Sequence, residues 1–164
     1  MALAIAELDP GVHERKGFDC GVEPLNRYLQ ALAVQHRRKG ISTSFVLVDD
    51  TAPRSILGYY TVSAASLAFE ALAEADRQHL PAYPVPAARI GRLAVAVTAR
   101  GHRYGELLLQ NAIKRALSAR QTLGVYAVIV EAKTEEAVAF YCKYGFRLCN
   151  VEDRKLYLPL GISG

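Results

Sequence analysis

Apolar residues recur along this chain in two rhythms, and the alternation between them outlines the fold. From Pro24 to Gly40 the period is helical: Leu25, Tyr28, Leu29, Leu32 and His36 share one face, Pro24 suits a first turn and Gly40 a stop. Ser44–Val48 and Ile56–Ala64 are short apolar runs joined by Asp49-Asp50-Thr51-Ala52-Pro53, which predicts two strands in a hairpin. Leu67–Leu80 predicts a short helix or lid. The prolines of 81–86 predict an extended connection, and Ile90–Val97 a further strand.

The helical rhythm returns over Gly105–Leu123, where Leu108, Leu109, Ala112, Ile113, Ala116 and Leu117 are expected to face inward and Gly124 to close the helix. Val125–Glu131 is apolar almost throughout, as a strand buried on both faces would be. Thr134 is placed to cap a helix that opens on Glu135 and Glu136 and ends near Tyr144-Gly145, and Lys155–Leu160 is a last strand. The apolar start, Met1–Ala6, predicts an edge strand or a disordered beginning. This order of elements predicts one α/β domain over residues 1–164, a central sheet with helices on both faces.

Composition narrows the classes. No apolar run approaches the ~20 residues of a membrane span. Three cysteines, Cys20, Cys142 and Cys149, are an odd number at spacings that fit no zinc site, which points to reduced thiols and a cytoplasmic protein. His13, His36, His79 and His102 are scattered, so a catalytic metal is not expected. The net charge of +4 is clustered in Arg15-Lys16, His36-Arg37-Arg38-Lys39, Arg100-His102-Arg103 and Lys114-Arg115, which suits a phosphate-rich partner.

The chemistry concentrates in two places. Between the strand Arg92-Leu93-Ala94-Val95-Ala96-Val97 and the helix beginning at Glu106 lies the turn Arg100-Gly101-His102-Arg103-Tyr104-Gly105. A glycine-bearing turn at a helix start leaves N–H groups free along the positive end of the helix dipole, where a phosphate binds. The second place is Ala139-Phe140-Tyr141-Cys142-Lys143-Tyr144-Gly145-Phe146.

With Phe18-Asp19-Cys20-Gly21-Val22-Glu23-Pro24-Leu25-Asn26-Arg27-Tyr28-Leu29, Leu57-Gly58-Tyr59-Tyr60-Thr61-Val62-Ser63 and Gly91-Arg92-Leu93-Ala94-Val95, these stretches make the chain resemble the GNAT N-acetyltransferases, in particular the TacT-like toxin branch of toxin–antitoxin modules. The resemblance implies the GNAT fold, a largely antiparallel sheet splayed at the cofactor site, and acetyl transfer from acetyl-coenzyme A to an amine. In the family pattern Q/R-x-x-G-x-G/A, Arg100 takes the first position and Gly105 the last. Arg103 replaces the central glycine, and Ala96 stands where the toxin branch often has aspartate. A side chain at 103 could obstruct a pyrophosphate or grip it as an added cation, and the cation is the expected outcome.

The resemblance further implies Leu93, Ala94, Val95, Arg100, Gly101, His102, Arg103, Tyr104, Gly105 and Phe140 as cofactor contacts, with a strand N–H at Leu93–Val95 facing the oxyanion. Tyr141 matches the family's catalytic tyrosine, a phenol near ~10 able to protonate a departing thiolate of ~8.5. Tyr144 is expected to pack. No general base is required for an α-amino group of ~7.7–8.0, and Glu131 reads better as a strand-end carboxylate. In the toxin branch the substrate is aminoacyl-tRNA, for which Arg37, Arg38, Lys39 and Arg92 are candidate contacts. The implied partners are a ribbon-helix-helix antitoxin and a second copy of the chain. A GNAT enzyme acting on a protein or small-molecule amine, or a non-catalytic GNAT-fold binding module, are the competing readings.

Overall fold

The computed structural model describes residues 2–149 and 154–161 of the 164. Seven strands, β1 (Leu3–Glu7), β2 (Thr43–Asp49), β3 (Gly58–Leu67), β4 (Val85–Val95), β5 (Ala127–Glu131), β6 (Arg147–Leu148) and β7 (Lys155–Pro159), form a sheet in the order β1-β2-β3-β4-β5-β7-β6. The pairs β1–β2, β2–β3, β5–β7 and β6–β7 are antiparallel. By internal contacts the chain divides into two compact units, residues 1–63 with 90–114 and residues 64–89 with 115–164.

In the first unit the predicted hairpin is present: Thr43 pairs with Val62 and Leu47 with Gly58. The residues after Met1 form the edge strand β1. The predicted helix over 24–40 is helical from Glu23 to Arg38 but not uniformly so. α1 (Glu23–Arg27) runs into a π-helical turn, Tyr28–Leu32, before α2 (Ala33–Arg38). At this turn the Ala33 N–H reaches back to the Tyr28 carbonyl, the widened register that often marks functional positions. Gly40, at φ +74°, follows the helix end as expected.

β4 differs from its prediction at both ends. It begins at Val85, taking in Pro86, and stops at Val95, two residues early. The Val97 N–H donates to the Asp19 carbonyl at 2.8 Å, which draws the chain out of the ladder into a 3-10 turn over Val97–Ala99. α4 (Tyr104–Ala119) then buries Tyr104, Leu108, Leu109, Ala112 and Ala116 on one face.

In the second unit, Leu67, Leu72, Val85, Ile129 and Tyr157 lie in one apolar cluster. The stretch Leu67–Leu80, expected as a short helix or lid, holds only a 3-10 turn, Phe69–Ala71, and the single turn α3 (Glu74–Arg77). The Tyr157 hydroxyl accepts from the Ala73 N–H at 2.7 Å and donates to Asp76, whose other oxygen pairs with Arg147. Side-chain bonds from a distant strand therefore hold this stretch in place of a longer helix.

α4 ends at Ala119, not at Gly124, and Leu117 is 44% exposed, contrary to expectation. Overlapping turns through Leu123 follow it, and Arg120 donates to the Leu160 carbonyl. β5 is buried from Ala127 to Val130, as its apolar run predicts. The Thr134 hydroxyl accepts from the Ala137 N–H and caps α5 (Glu135–Lys143). All three cysteines are free thiols. No helix among the described residues is long and apolar enough to cross a membrane, and no described group of His, Cys, Asp or Glu is clustered to hold a metal.

Candidate active site

The turn 100–105 adopts the backbone that the glycine pattern calls for. Gly101 sits at φ +89° and Arg103 at φ +59°. The left-handed conformation is thus kept at 103 although the residue is arginine, at a cost of about 1–2 kcal/mol. Left-handed residues at a helix start make a concave array of N–H groups, and the first N–H groups of α4 have no intrahelical acceptor. The donors a pyrophosphate needs are backbone atoms, so the substitution leaves them in place. The Arg103 side chain is 86% exposed and only loosely held, with Nε 3.8 Å from Glu106.

Arg100 is bound differently. Its guanidinium donates to the Cys20 carbonyl at 2.8 Å, leaving the rest of its five N–H donors for other partners. The Cys20 loop is itself tightly built. The Asp19 carboxylate accepts from the Gly21 N–H at 2.8 Å and the Asn26 amide at 3.0 Å, and the Cys20 N–H donates to Asn26 at 2.8 Å. The Gly21 N–H, then Asn26, then the Arg100 charge hold the Asp19 carboxyl below its ordinary range. Gly21 has φ +83°, and a Cβ there would lie 2.9 Å from the Arg100 guanidinium. Sequence reasoning missed Asp19, Gly21 and Asn26 as the support of the loop that holds Arg100, although the spacing Asp19-Cys20-Gly21…Asn26 carries the signal of a side-chain-bonded turn.

The other proposed contacts in this unit divide by exposure. Ala94 is buried, Leu93 and Val95 half-buried. A Cβ at Gly58 would stand 2.8 Å from the Ala94 carbonyl and 2.9 Å from the Leu108 side chain, so glycine at 58 allows β3, β4 and α4 to approach closely. Tyr104 is buried and its ring stacks with the exposed His102 at 5.3 Å. Tyr104 therefore faces the core and has its backbone to offer.

Arg92 places its guanidinium 3.5 Å from the centre of the Tyr28 ring, and the Tyr28 hydroxyl bonds Ser42 at 2.6 Å and His36 at 2.9 Å. The residue that opens the π-helical turn thus fixes Arg92. Arg37 pairs with Glu7 at 2.9 Å, while Arg38 and Lys39 are exposed.

In the second unit, Phe140, Tyr141, Tyr144 and Phe146 form an aromatic group with ring centres 5.2–5.3 Å apart. The Phe146 N–H donates to the Tyr141 carbonyl and the Gly145 N–H to the Cys142 carbonyl, with Gly145 at φ +91°. That is a Schellman closure, completed by contact between Tyr141 and Phe146. The Tyr-Cys-Lys-Tyr-Gly-Phe sequence is thereby a helix stop that fixes the Tyr141 backbone and one side of its ring. Burial pushes the Tyr141 phenol up to about 12. Tyr144 packs as expected, its hydroxyl buried and without a partner among the described residues. Glu131 is exposed at the end of β5 and lies 3.7 Å from Arg89, an ordinary surface pair.

Residues 42–148 match the family described as Acetyltransferase (GNAT) domain. A "tRNA-acetylating toxin" of Mycobacterium tuberculosis is 31% identical over 141 residues, which are 86% of this chain and 82% of the relative. Among solved structures, AtaT complexed with acetyl-methionyl-tRNAfMet superposes with a TM-score of 0.89 at 30% identity, covering 96% of this chain and 95% of that one. A tyrosine-to-phenylalanine mutant of the AtaT toxin, bound to the C-terminus of the antitoxin AtaR and acetyl-CoA, gives 0.80 at 29% identity, covering 96% and 92%. The left-handed turn before α4, the glycine-closed tyrosine helix and these likenesses agree: the chain belongs to the GNAT acetyltransferase family.

Proposed function

We propose that residues 1–164 act as one acetyl-coenzyme-A-dependent N-acetyltransferase domain whose substrate is the amino group of aminoacyl-tRNA, and that the protein is a toxin that blocks translation. The observation that carries this reading is the glycine-like backbone at Arg103, a phosphate cradle preserved against its own residue type, in a chain so similar to a tRNA-acetylating toxin. An antitoxin partner follows from the likeness to AtaT bound to AtaR. We extend it to a ribbon-helix-helix antitoxin, a homodimeric toxin and a cytoplasmic site of action.

Bound acetyl-coenzyme A supplies an activated acetyl group; the new C–N bond forms at the substrate amine as the C–S bond breaks. Backbone N–H groups from Gly101 to Glu106 hold the pyrophosphate, with Arg100 and Arg103 adding charge. Leu93, Ala94 and Val95 align the acyl chain along the strand and offer an N–H to the developing oxyanion. Phe140 packs against the cofactor. The Tyr141 hydroxyl, kept protonated through pH ~10 by burial, gives its proton to the departing sulfur and is restored by the proton that the acetylated nitrogen loses. Arg92, Arg37, Arg38 and Lys39 meet tRNA phosphates.

The test is incubation with labelled acetyl-coenzyme A and total charged tRNA. Label in aminoacyl-tRNA is the expected result; label only in protein or small amines, or no cofactor binding by calorimetry, overturns it.

A further inference from the structure

We propose that a small cavity beside the Arg37–Lys39 cluster is a seat for one unstacked RNA base; the inference rests on the tRNA reading above and deepens it. The cavity has a volume of about 180 Å³ and lies in the first unit, walled by Leu8, Pro10, Ala33 and Val34 and rimmed by Glu7, Arg37 and Arg38. Its lining includes Ser44, which is 2% exposed and whose hydroxyl has no hydrogen-bond partner among the described residues. A buried hydroxyl without a partner costs about 1–3 kcal/mol, a cost that a polar ligand atom entering the cavity beside Ser44 would relieve.

Size, polarity and charge together select the occupant. A cavity of roughly 150 Å³ admits one benzene-sized ring. A hydrocarbon ring would leave the Ser44 hydroxyl unsatisfied, whereas a heterocyclic edge with donors and acceptors bonds it. The Arg38 guanidinium at the rim and Lys39 next to it make no ion pair among the described residues, and they supply the charge that a base's own phosphates require. Proteins that read single-stranded RNA combine these parts: a splayed base in an apolar slot, a hydrogen bond to its edge and cations on the backbone. Glu7 pairs with Arg37 at the rim at 2.9 Å.

Two measurements test this. Coenzyme A at saturation first blocks the cofactor site of the whole protein. Titration with cytidine and uridine monophosphates should then shift the amide resonances of Leu8, Ala33 and Ser44, and Ser44→Ala should weaken that response. Val34→Phe, which fills the cavity from an accessible wall, should weaken binding of deacylated tRNA about tenfold, while acetyl-coenzyme A binding by the same sample reports an intact fold. Unshifted resonances together with unchanged tRNA affinity overturn the proposal, as does a response to an aromatic peptide but to neither nucleotide. If Val34→Phe does not fold, Ser44→Ala and the nucleotide titration decide. Failure of wild-type protein to acetylate charged tRNA would instead overturn the function proposed above, and the nucleotide titration would still decide the cavity.

Discussion

The start of α4 and the end of α5 both depend on a residue in the left-handed region, and they use it in opposite ways. At the end of α5, Gly145 turns the chain so that the Gly145 and Phe146 N–H groups close onto the last turn; the helix end is satisfied internally. At the start of α4, Gly101 and Arg103 turn the chain so that donors are left open. A closed end fixes a side chain, here Tyr141, whereas an open end offers backbone to a ligand. The residue types differ too: glycine stands at the closed end, whereas the open end pairs Gly101 with Arg103, an unfavourable conformation kept beside a proposed anion site.

The largest expected effect tests what the closed end is for. Tyr141→Phe keeps the ring and the helix stop but removes the hydroxyl, and acetylation should fall by a hundredfold or more with stability within about 1 kcal/mol of wild type. A full-rate Tyr141→Phe protein would sink the proton-delivery role and leave the closure purely structural.

Arg100→Gln comes next. Losing the bond to the Cys20 carbonyl releases the cradle from its supporting loop, and the KM for acetyl-coenzyme A should rise about tenfold. Gly21→Ala should act in the same direction, because its Cβ would displace that guanidinium. A KM unchanged in both variants would mean that the open end stands unaided.

Gly145→Ala and Arg103→Gly form a matched pair. The first forces a side chain into the left-handed region, with only ordinary contact to Leu158, and should lower the melting temperature by about 3–6 °C. The second removes a side chain from that region and should raise it by a similar or smaller amount. If the guanidinium serves the pyrophosphate, Arg103→Gly also weakens acetyl-coenzyme A severalfold by calorimetry, so stability and affinity move in opposite directions. Affinity that holds or improves would make Arg103 an obstruction.

The smallest effect is on pH dependence. Burial raises the Tyr141 and Tyr157 phenols to about 12, above their unfolded ~10. Their contribution to stability is therefore complete below pH ~10 and is lost between ~10 and ~12 as the unfolded chain gives up protons that the native state retains. Denaturant midpoints across that range should fall, and less steeply in Tyr141→Phe. Activity should rise as the substrate amine deprotonates near ~8 and stay level toward pH ~10; an early alkaline loss of rate without unfolding would contradict the raised Tyr141.

Much of this was legible in the order of residues. The hairpin, the Thr134 cap and the buried β5 follow from local rules, because each depends on neighbours a few positions apart. Arg100–Gly105 and Phe140–Phe146 were legible for the same reason: turn, helix end and glycine lie within one short stretch. The early exit of β4, the loss of the Leu67–Leu80 helix and the end of α4 at Ala119 were not. Each is associated with a bond to a remote residue, Asp19 to Val97, Tyr157 to Ala73 and Asp76, Arg120 to Leu160.

The sequence by itself determined the kind of protein and the pattern of most of its elements. Only the tertiary structure decided what each arginine does. Arg100 is tied to the Cys20 carbonyl, Arg92 lies over Tyr28, and Arg103 reaches into solvent from a backbone shaped for glycine. Arginine in a sequence has a fixed charge and a long reach but no direction. Its partner is set by whichever carbonyl, ring or carboxylate the folded chain brings within that reach.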